Sequence, residues 1–313
     1  MIRHSDLIAE LSERGAHRIA LQAPEGLKRK LGDLAVELRN SGFTVLISGD
    51  PCYGACDLDT EILKDADILV HLGHAPVDDT RNVIYDIFRM DFDPDIVRIA
   101  LPFLTGTKVG LVTTVQHAHL IPAVTEILQT AGVEVIVAEG TERTPYAGQV
   151  LGCSFEAARK TGALEILYLG TGQFHPLGVQ ISTGARVIAC DPYTQACVVV
   201  DGERLLRRRF ALIEKAKTAS QIGIIISPKT GQCRRELADR LLSLSDIAVP
   251  IMLREVTPDQ LLNLGLPCYV NTACPRLAFD DQVRWPVPVL SPQEFEILCR
   301  VRTFEDYEVD EIR

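Results

Sequence analysis

Short apolar runs rich in Val and Ile recur along the whole chain with helical patterns between them, and this recurrence constrains the fold more than any other feature. Strands are expected near 19–23, 43–48, 67–72 and 82–87, then near 108–114, 134–138, 165–170 and 186–190, then near 222–227, 247–253, 268–272 and 287–290. Runs of this kind suit parallel strands buried on both faces. Stretches such as LIPAVTEILQTAG (120–132) suit the helical crossovers between them. Three sets of four strands predict an α/β protein of three repeated small domains, each a roughly four-stranded parallel sheet with flanking helices. The expected domains are 1–105, 106–217 and 218–313, with PFLTGTK (102–108) and KAKTASQ (215–221) as linkers. One large doubly wound sheet is the competing architecture.

A spacing supports duplication. Cys56 lies 17 positions before Gly73 in HLGHAP, and Cys153 lies 17 before Gly170 in YLGTGQFHP. Both cysteines follow a glycine-containing loop, and both precede a strand ending in Leu-Gly. The third set differs: CYVNTACPRLAFDD (268–281) places Cys274 just past a strand that Pro275 stops. Each expected domain therefore offers one cysteine in a loop at a strand end, the edge where open α/β sheets bind ligands.

The chain has 313 residues and nine cysteines. A net charge of −10 argues against a general nucleic-acid binder. The one basic run, RLLRRRF (204–210), reads as a solvated helix face, with a docking patch as the alternative. No run of about 18 apolar residues exists, so no membrane span is expected. MIRHSDLIAELSERG reads as an amphipathic helix without the apolar centre of a secretory signal, and a cytoplasmic location is the expectation. In that reducing setting the cysteines are not expected to form disulfides. Cys190, Cys197, Cys233, Cys268 and Cys299 read as core thiols.

Three loop thiols meeting at one pocket can hold three irons of a 4Fe-4S cluster and leave the fourth open for a substrate ligand. A zinc site using Cys52 and Cys56 with histidines is the weaker alternative, because structural zinc favours paired ligand knuckles. GDPCYGACDLD (49–59) also matches the first two positions of a Cys-x3-Cys-x2-Cys iron–sulfur run, with Asp59 where the third cysteine would stand.

GDPCYGACD, GQVLGCSF and NTACPRL, in this order and spacing, resemble the archaeal diphthamide-biosynthesis radical enzymes, the 2-(3-amino-3-carboxypropyl)histidine synthase family. The resemblance extends to LQAPEGL (21–27) and SPKTGQ (227–232) and covers nearly the whole chain. It implies a triplicated α/β fold, a homodimer, and a 4Fe-4S cluster on Cys56, Cys153 and Cys274, with Cys52 outside the ligand set. It implies a reaction in which S-adenosylmethionine, reduced by one electron, yields a 3-amino-3-carboxypropyl radical. That radical adds to imidazole C2 of a histidine on translation elongation factor 2. An external electron donor is implied as well.

The strand-to-helix turns supply further candidates for binding S-adenosylmethionine: Glu25 and Gly26 in QAPEGL, Gln116 and His117 in TTVQHAH, and Lys229 and Gln232 in SPKTGQ. Backbone N–H groups at such turns suit an anionic group, and ordinary turn roles are the plain alternative. A cluster-free nucleotide-binding enzyme and a non-catalytic partner subunit remain the competing readings of the whole chain.

Overall fold

The computed structural model describes residues 2–312. Its strands form three separate sheets, so the single large sheet is excluded. The first holds β1 (Arg18–Gln22), β2 (Thr44–Ile47), β3 (Ile68–Leu72) and β4 (Val83–Asp86). The second holds β5 (Lys108–Thr113), β6 (Glu134–Ile136), β7 (Glu165–Leu169), β8 (Arg186–Asp191) and β9 (Ala196–Val199). The third holds β10 (Ile222–Ile226), β11 (Ala248–Met252), β12 (Cys268–Asn271) and β13 (Val289–Leu290).

The strand orders are β2-β1-β3-β4, β6-β5-β7-β8-β9 and β11-β10-β12-β13, the same core order three times. All pairings are parallel except β8 with β9. Several central strands are unbroken runs of buried residues, as for Ile68–Leu72, Glu165–Leu169 and Ile222–Ile226. Burial on both faces is why these runs lack alternation.

Among the described residues, ten α-helices flank the sheets. They are α1 (His4–Glu13) and α2 (Lys28–Asn40); α3 (Ile121–Thr130), α4 (Glu156–Lys160), α5 (Phe174–Thr183) and α6 (Glu203–Ala216); and α7 (Arg235–Leu242), α8 (Pro258–Leu264), α9 (Arg276–Phe279) and α10 (Pro292–Leu298). α1 buries Leu7 and Leu11, the stripe expected of an amphipathic helix. After the first strand of each sheet the chain makes the same move, a short 3-10 turn and then a helix. Those turns are Glu25–Leu27, Ala118–Leu120 and Thr230–Gln232. Not every crossover is an α-helix: between β2 and β3 the chain makes only the 3-10 turn Thr60–Lys64. No helix among the described residues is long and apolar enough to cross a membrane.

The matched spacing has a structural counterpart. Gly73 and Gly170 each directly follow the third strand of their sheet, and both hold positive φ, 110° and 148°. Each donates its N–H across to the end of the next strand, to Asp86 O at 2.7 Å and Cys190 O at 3.0 Å. Such φ values favour glycine, which has no Cβ to clash.

The structure adds one strand to the expected set and corrects two readings of the cysteines. β9 is an antiparallel edge strand that the search for buried parallel runs did not yield. Its hairpin turns on the Asp191 carboxylate, which accepts from Tyr193 N at 2.9 Å and Thr194 N at 3.2 Å. The register sets Cys190 opposite Cys197. Their Cα atoms lie 4.2 Å apart and the two are joined as a disulfide, so neither is a free core thiol. Cys233 is exposed rather than buried; Cys268 lies in the core as expected.

The basic run belongs to α6 and is not uniformly solvated. Arg204, Arg207 and Arg208 are exposed, but Arg209 is 1% exposed. Arg209 Nε donates to Glu294 Oε1 at 2.7 Å, its Nη2 donates to Glu294 Oε2 and to Val289 O, and its Nη1 donates to Ala278 O. Glu294 also closes a capping box with Ser291 at the start of α10. This fully buried pair fastens α6 to the third sheet. Removing one partner leaves the other charge buried without compensation, so Arg209→Ala should cost about 3–5 kcal/mol. Arg208→Ala, on the exposed side, should stay within about 0.5 kcal/mol. Urea unfolding midpoints compare the two, and equal midpoints would contradict the assignment.

Candidate metal centre

Three loops at the C-terminal edges of three sheets converge on one buried place. Residues 48–59 follow β2 and carry Cys56; residues 137–155 follow β6 and carry Cys153; the turn after β12 carries Cys274. Cys56 and Cys153 thus leave equivalent strands, whereas Cys274 leaves the strand after its equivalent. The three thiols interact electrostatically with one another.

The turn Thr230–Gln232 is where the loops meet. A Cβ on Gly231 would lie 2.5 Å from Cys56 Cα and 2.7 Å from its Cβ, so only glycine lets the two backbones pack this closely. Gln232 Nε2 donates to Cys56 Sγ at 3.4 Å. Arg143 Nη2 donates to Cys153 Sγ at 3.7 Å and to Gly231 O at 3.3 Å. One turn of the third sheet therefore touches the cysteine loops of the other two.

A second tie runs through Arg234. Its guanidinium donates to Thr272 O at 2.8 Å and Ala273 O at 2.9 Å, just before Cys274, and holds Asp310 through both carboxylate oxygens at 2.8 and 2.7 Å. The same strand of chain continues to Ile312, whose N–H donates to Cys153 O at 2.9 Å. Glu311 accepts from Phe155 N at 2.7 Å and pairs with Arg159. Asn271 fixes the turn itself by donating to Cys274 O at 2.8 Å and accepting from Ala273 N at 3.0 Å.

Burial pushes the Cys56 thiol up to about 11 and Cys274 up to about 12, with neighbouring thiols adding to both. Burial raises Cys153 too, against the opposing charge of Arg143. Bringing three such groups to the thiolate form together needs a compensating multivalent cation, whose own charge inverts the local logic. Ligands of one zinc ion, with bonds of about 2.0–2.3 Å, lie under about 4.6 Å apart. Among the described residues, Cys52, His71 and His74 form the single group of three potential ligands that all lie within 4.8 Å of one another. Three soft thiolate donors, brought together from loops of three sheets, suit an iron–sulfur cluster.

A cavity of about 260 Å³ opens beside Cys56 and Cys274, lined by Tyr53, Lys229, Glu255, Arg276 and Trp285 among others. Lys229 is buried and bridges Asp57 Oδ2 at 2.9 Å and Glu255 Oε1 at 2.5 Å. Burial disfavours its charge, but the two carboxylates outweigh this and hold its pKa above the ordinary lysine value.

Of the residues singled out in the strand-to-helix turns, Lys229 and Gln232 sit at this centre. The others lie elsewhere. Glu25 is exposed and pairs with Lys28, and Gly26 is exposed beside it. Gln116 reaches Gly73 O at 3.5 Å, and His117 Nδ1 meets Met90 O at 3.0 Å, so both serve the junction between the first and second sheets. Arg143 and Arg234 carried no local signal, and Gly231 and Asp57, though they lie in SPKTGQ and GDPCYGACD, were not singled out, because their roles exist only once loops distant in sequence are packed together.

The family model of the diphthamide synthesis proteins matches residues 23–308. The chain is 38% identical to 2-(3-amino-3-carboxypropyl)histidine synthase of Pyrococcus horikoshii, covering 99% of this chain and 93% of that one. It is 27% identical to the synthase of Methanocaldococcus jannaschii, covering 95% and 88%. The crystal structure of Dph2 from Pyrococcus horikoshii with a 4Fe-4S cluster superimposes with a TM-score of 0.93 at 36% identity, over 100% of this chain and 94% of that one.

Gly231→Ala should push the Cys56 loop away. The expected cost is about 1–3 kcal/mol, with faster alkylation of Cys56 in metal-free protein; wild-type stability and labelling would contradict the packing described. The chain belongs to the diphthamide-synthesis family of 2-(3-amino-3-carboxypropyl)histidine synthases.

Proposed function

We propose that the chain transfers the 3-amino-3-carboxypropyl group of S-adenosylmethionine to a histidine of translation elongation factor 2, the first step of diphthamide biosynthesis. Cys56, Cys153 and Cys274, one from each of the units 1–105, 106–217 and 218–313, would hold a 4Fe-4S cluster. The observation that carries this reading is the convergence of three half-buried thiols on loops of three sheets, in a chain whose solved relative contains such a cluster. When bound, the cluster supplies the single electron that opens the sulfonium bond to the aminocarboxypropyl carbon.

The chain's own residues orient and shield. Gln232 and Arg143 donate toward cysteine sulfurs, and hydrogen bonds of this kind tune a cluster's potential. The cavity beside Cys56 and Cys274 is the place for S-adenosylmethionine. Arg276 and Arg284 on its wall, in exposed ion pairs with Asp280 and Asp281 that a substrate carboxylate can exchange with, suit the methionine carboxylate, Trp285 and Tyr53 offer aromatic faces to the adenine, and Leu253, Val256 and Leu277 exclude water. Lys229 is held by two carboxylates and so positions the Cys56 loop through Asp57 rather than meeting substrate as a free cation. An external electron donor and a homodimeric assembly belong to the same reading and rest on the sequence resemblance, and the cytoplasmic location expected from the sequence belongs to it as well.

Transfer of the aminocarboxypropyl group leaves methylthioadenosine. With dithionite as reductant, chromatography should show methylthioadenosine, and the target histidine should gain the mass of one aminocarboxypropyl group. Cys56→Ala, Cys153→Ala and Cys274→Ala should each lose bound iron and product, while Cys52→Ala keeps its iron. Predominant 5′-deoxyadenosine, or iron lost with Cys52 and retained without Cys56, would sink the reading.

A further inference from the structure

Cys52 belongs to a different constellation from the three loop thiols. Its Sγ, one ring nitrogen of His71 and one of His74 all lie within 4.8 Å of one another. Cys52 is 2% exposed and His71 fully buried, with His74 half-buried at the mouth of the group. The two histidines stand at the end of β3 and just past it, and Cys52 stands on the loop after β2. We propose that Cys52, His71 and His74 form a binding site for a zinc-class divalent cation, separate from the centre built by Cys56, Cys153 and Cys274.

The surroundings of His71 are arranged for a ligand. Gln22 donates through Nε2 to Asp57 O at 3.0 Å, and its Oε1 accepts from Asp59 N at 3.3 Å, so the orientation of this amide is fixed by two backbone groups. The same oxygen faces His71 Nδ1 at 3.1 Å, which places the ring proton on Nδ1. Nε2 therefore carries the lone pair, and it is directed at His74 Nδ1, 2.9 Å away. A metal-bound histidine that donates its other N–H to a fixed oxygen is the usual supporting arrangement of protein metal sites. One thiol and two imidazoles are a donor set that zinc prefers.

Loading changes little. Ligands of a tetrahedral zinc ion stand roughly 3.3–3.8 Å apart, so the two ring nitrogens separate by a few tenths of an ångström. The Cys52 thiol, which now donates weakly to Gly54 O at 3.6 Å, gives its proton to solvent as the Zn–S bond forms. His74 moves its proton from Nδ1 to Nε2, with no net change. Three protein ligands leave one position for water. The ion would staple the loop carrying Cys56 to the end of β3. It would also withdraw Cys52 from competition for iron, which gives the Cys-x3-Cys pair of GDPCYGAC two different destinations.

The test is zinc uptake by the full chain after anaerobic cluster reconstitution, read by elemental analysis and by zinc-edge X-ray absorption. About one zinc per chain is expected, in a shell of one sulfur and at least two light atoms. Cys52→Ser and His74→Gln should each lose it, and Cys233→Ser, at an exposed thiol, should not. Gln22→Met should weaken zinc binding about 10–100-fold while iron content stays unchanged. Because His74 is only half-buried, its variant reads the site even where Cys52→Ser folds poorly. Absence of stoichiometric zinc overturns the proposal. So does zinc that survives in both Cys52→Ser and His74→Gln, or zinc lost with Cys274→Ser instead; these outcomes leave the iron assignment standing.

Discussion

The close approach of Gly231 to the Cys56 backbone is the contact on which the site depends. It joins a turn of the third sheet to a loop of the first, and Arg143 of the second sheet donates to the carbonyl of that same glycine. Parallel sheets present their loops at one edge. Three such edges are useful together only if the loops touch without a side chain between them. Gln232, next in the turn, then reaches Cys56 Sγ with no further freedom. The Arg234 tie adds a second closure, from the residues before Cys274 through Asp310 and Ile312 to the Cys153 carbonyl. Neither closure involves residues near each other in sequence.

Electrostatics explains why this much scaffolding is needed. Three thiols away from water resist ionisation, and each thiolate would raise its neighbours further. A site that must hold several anionic sulfurs has to be fixed by other forces, and here those are backbone contacts and charge-assisted hydrogen bonds to carbonyls. The Arg209–Glu294 pair plays the equivalent part at a distance, holding α6 against the third sheet whose loops build the centre.

Much of the architecture was legible because buried parallel strands write themselves as unbroken apolar runs. All twelve expected runs correspond to strands, and the 17-residue match located Gly73 and Gly170, both at the end of a third strand with positive φ. β9 escaped although ACVVV (196–200) is an apolar run, because the repeat of four strands per set left no place for a short antiparallel edge strand, and its Val198 and Val199 are over two-fifths exposed. The Cys190–Cys197 disulfide escaped with it, since only the hairpin register brings the two together. Arg209 looked like one of several surface cations because its partner is 85 positions away. In the centre itself, the cysteines and the turn at 230–232 announced themselves by motif. Arg143, Glu255 and Arg234 did not, because nothing in their neighbouring residues encodes which loop they will meet.

The central claim is that one metal centre forms where the three sheets' loops converge. Iron-edge anomalous diffraction from crystals of the anaerobically reconstituted full chain tests it most directly. The account predicts a single iron-rich peak bounded by Cys56, Cys153 and Cys274, beside the cavity that Trp285 closes. A peak at Cys52, or iron divided among separate cysteines with none at the convergence of the three loops, would contradict it.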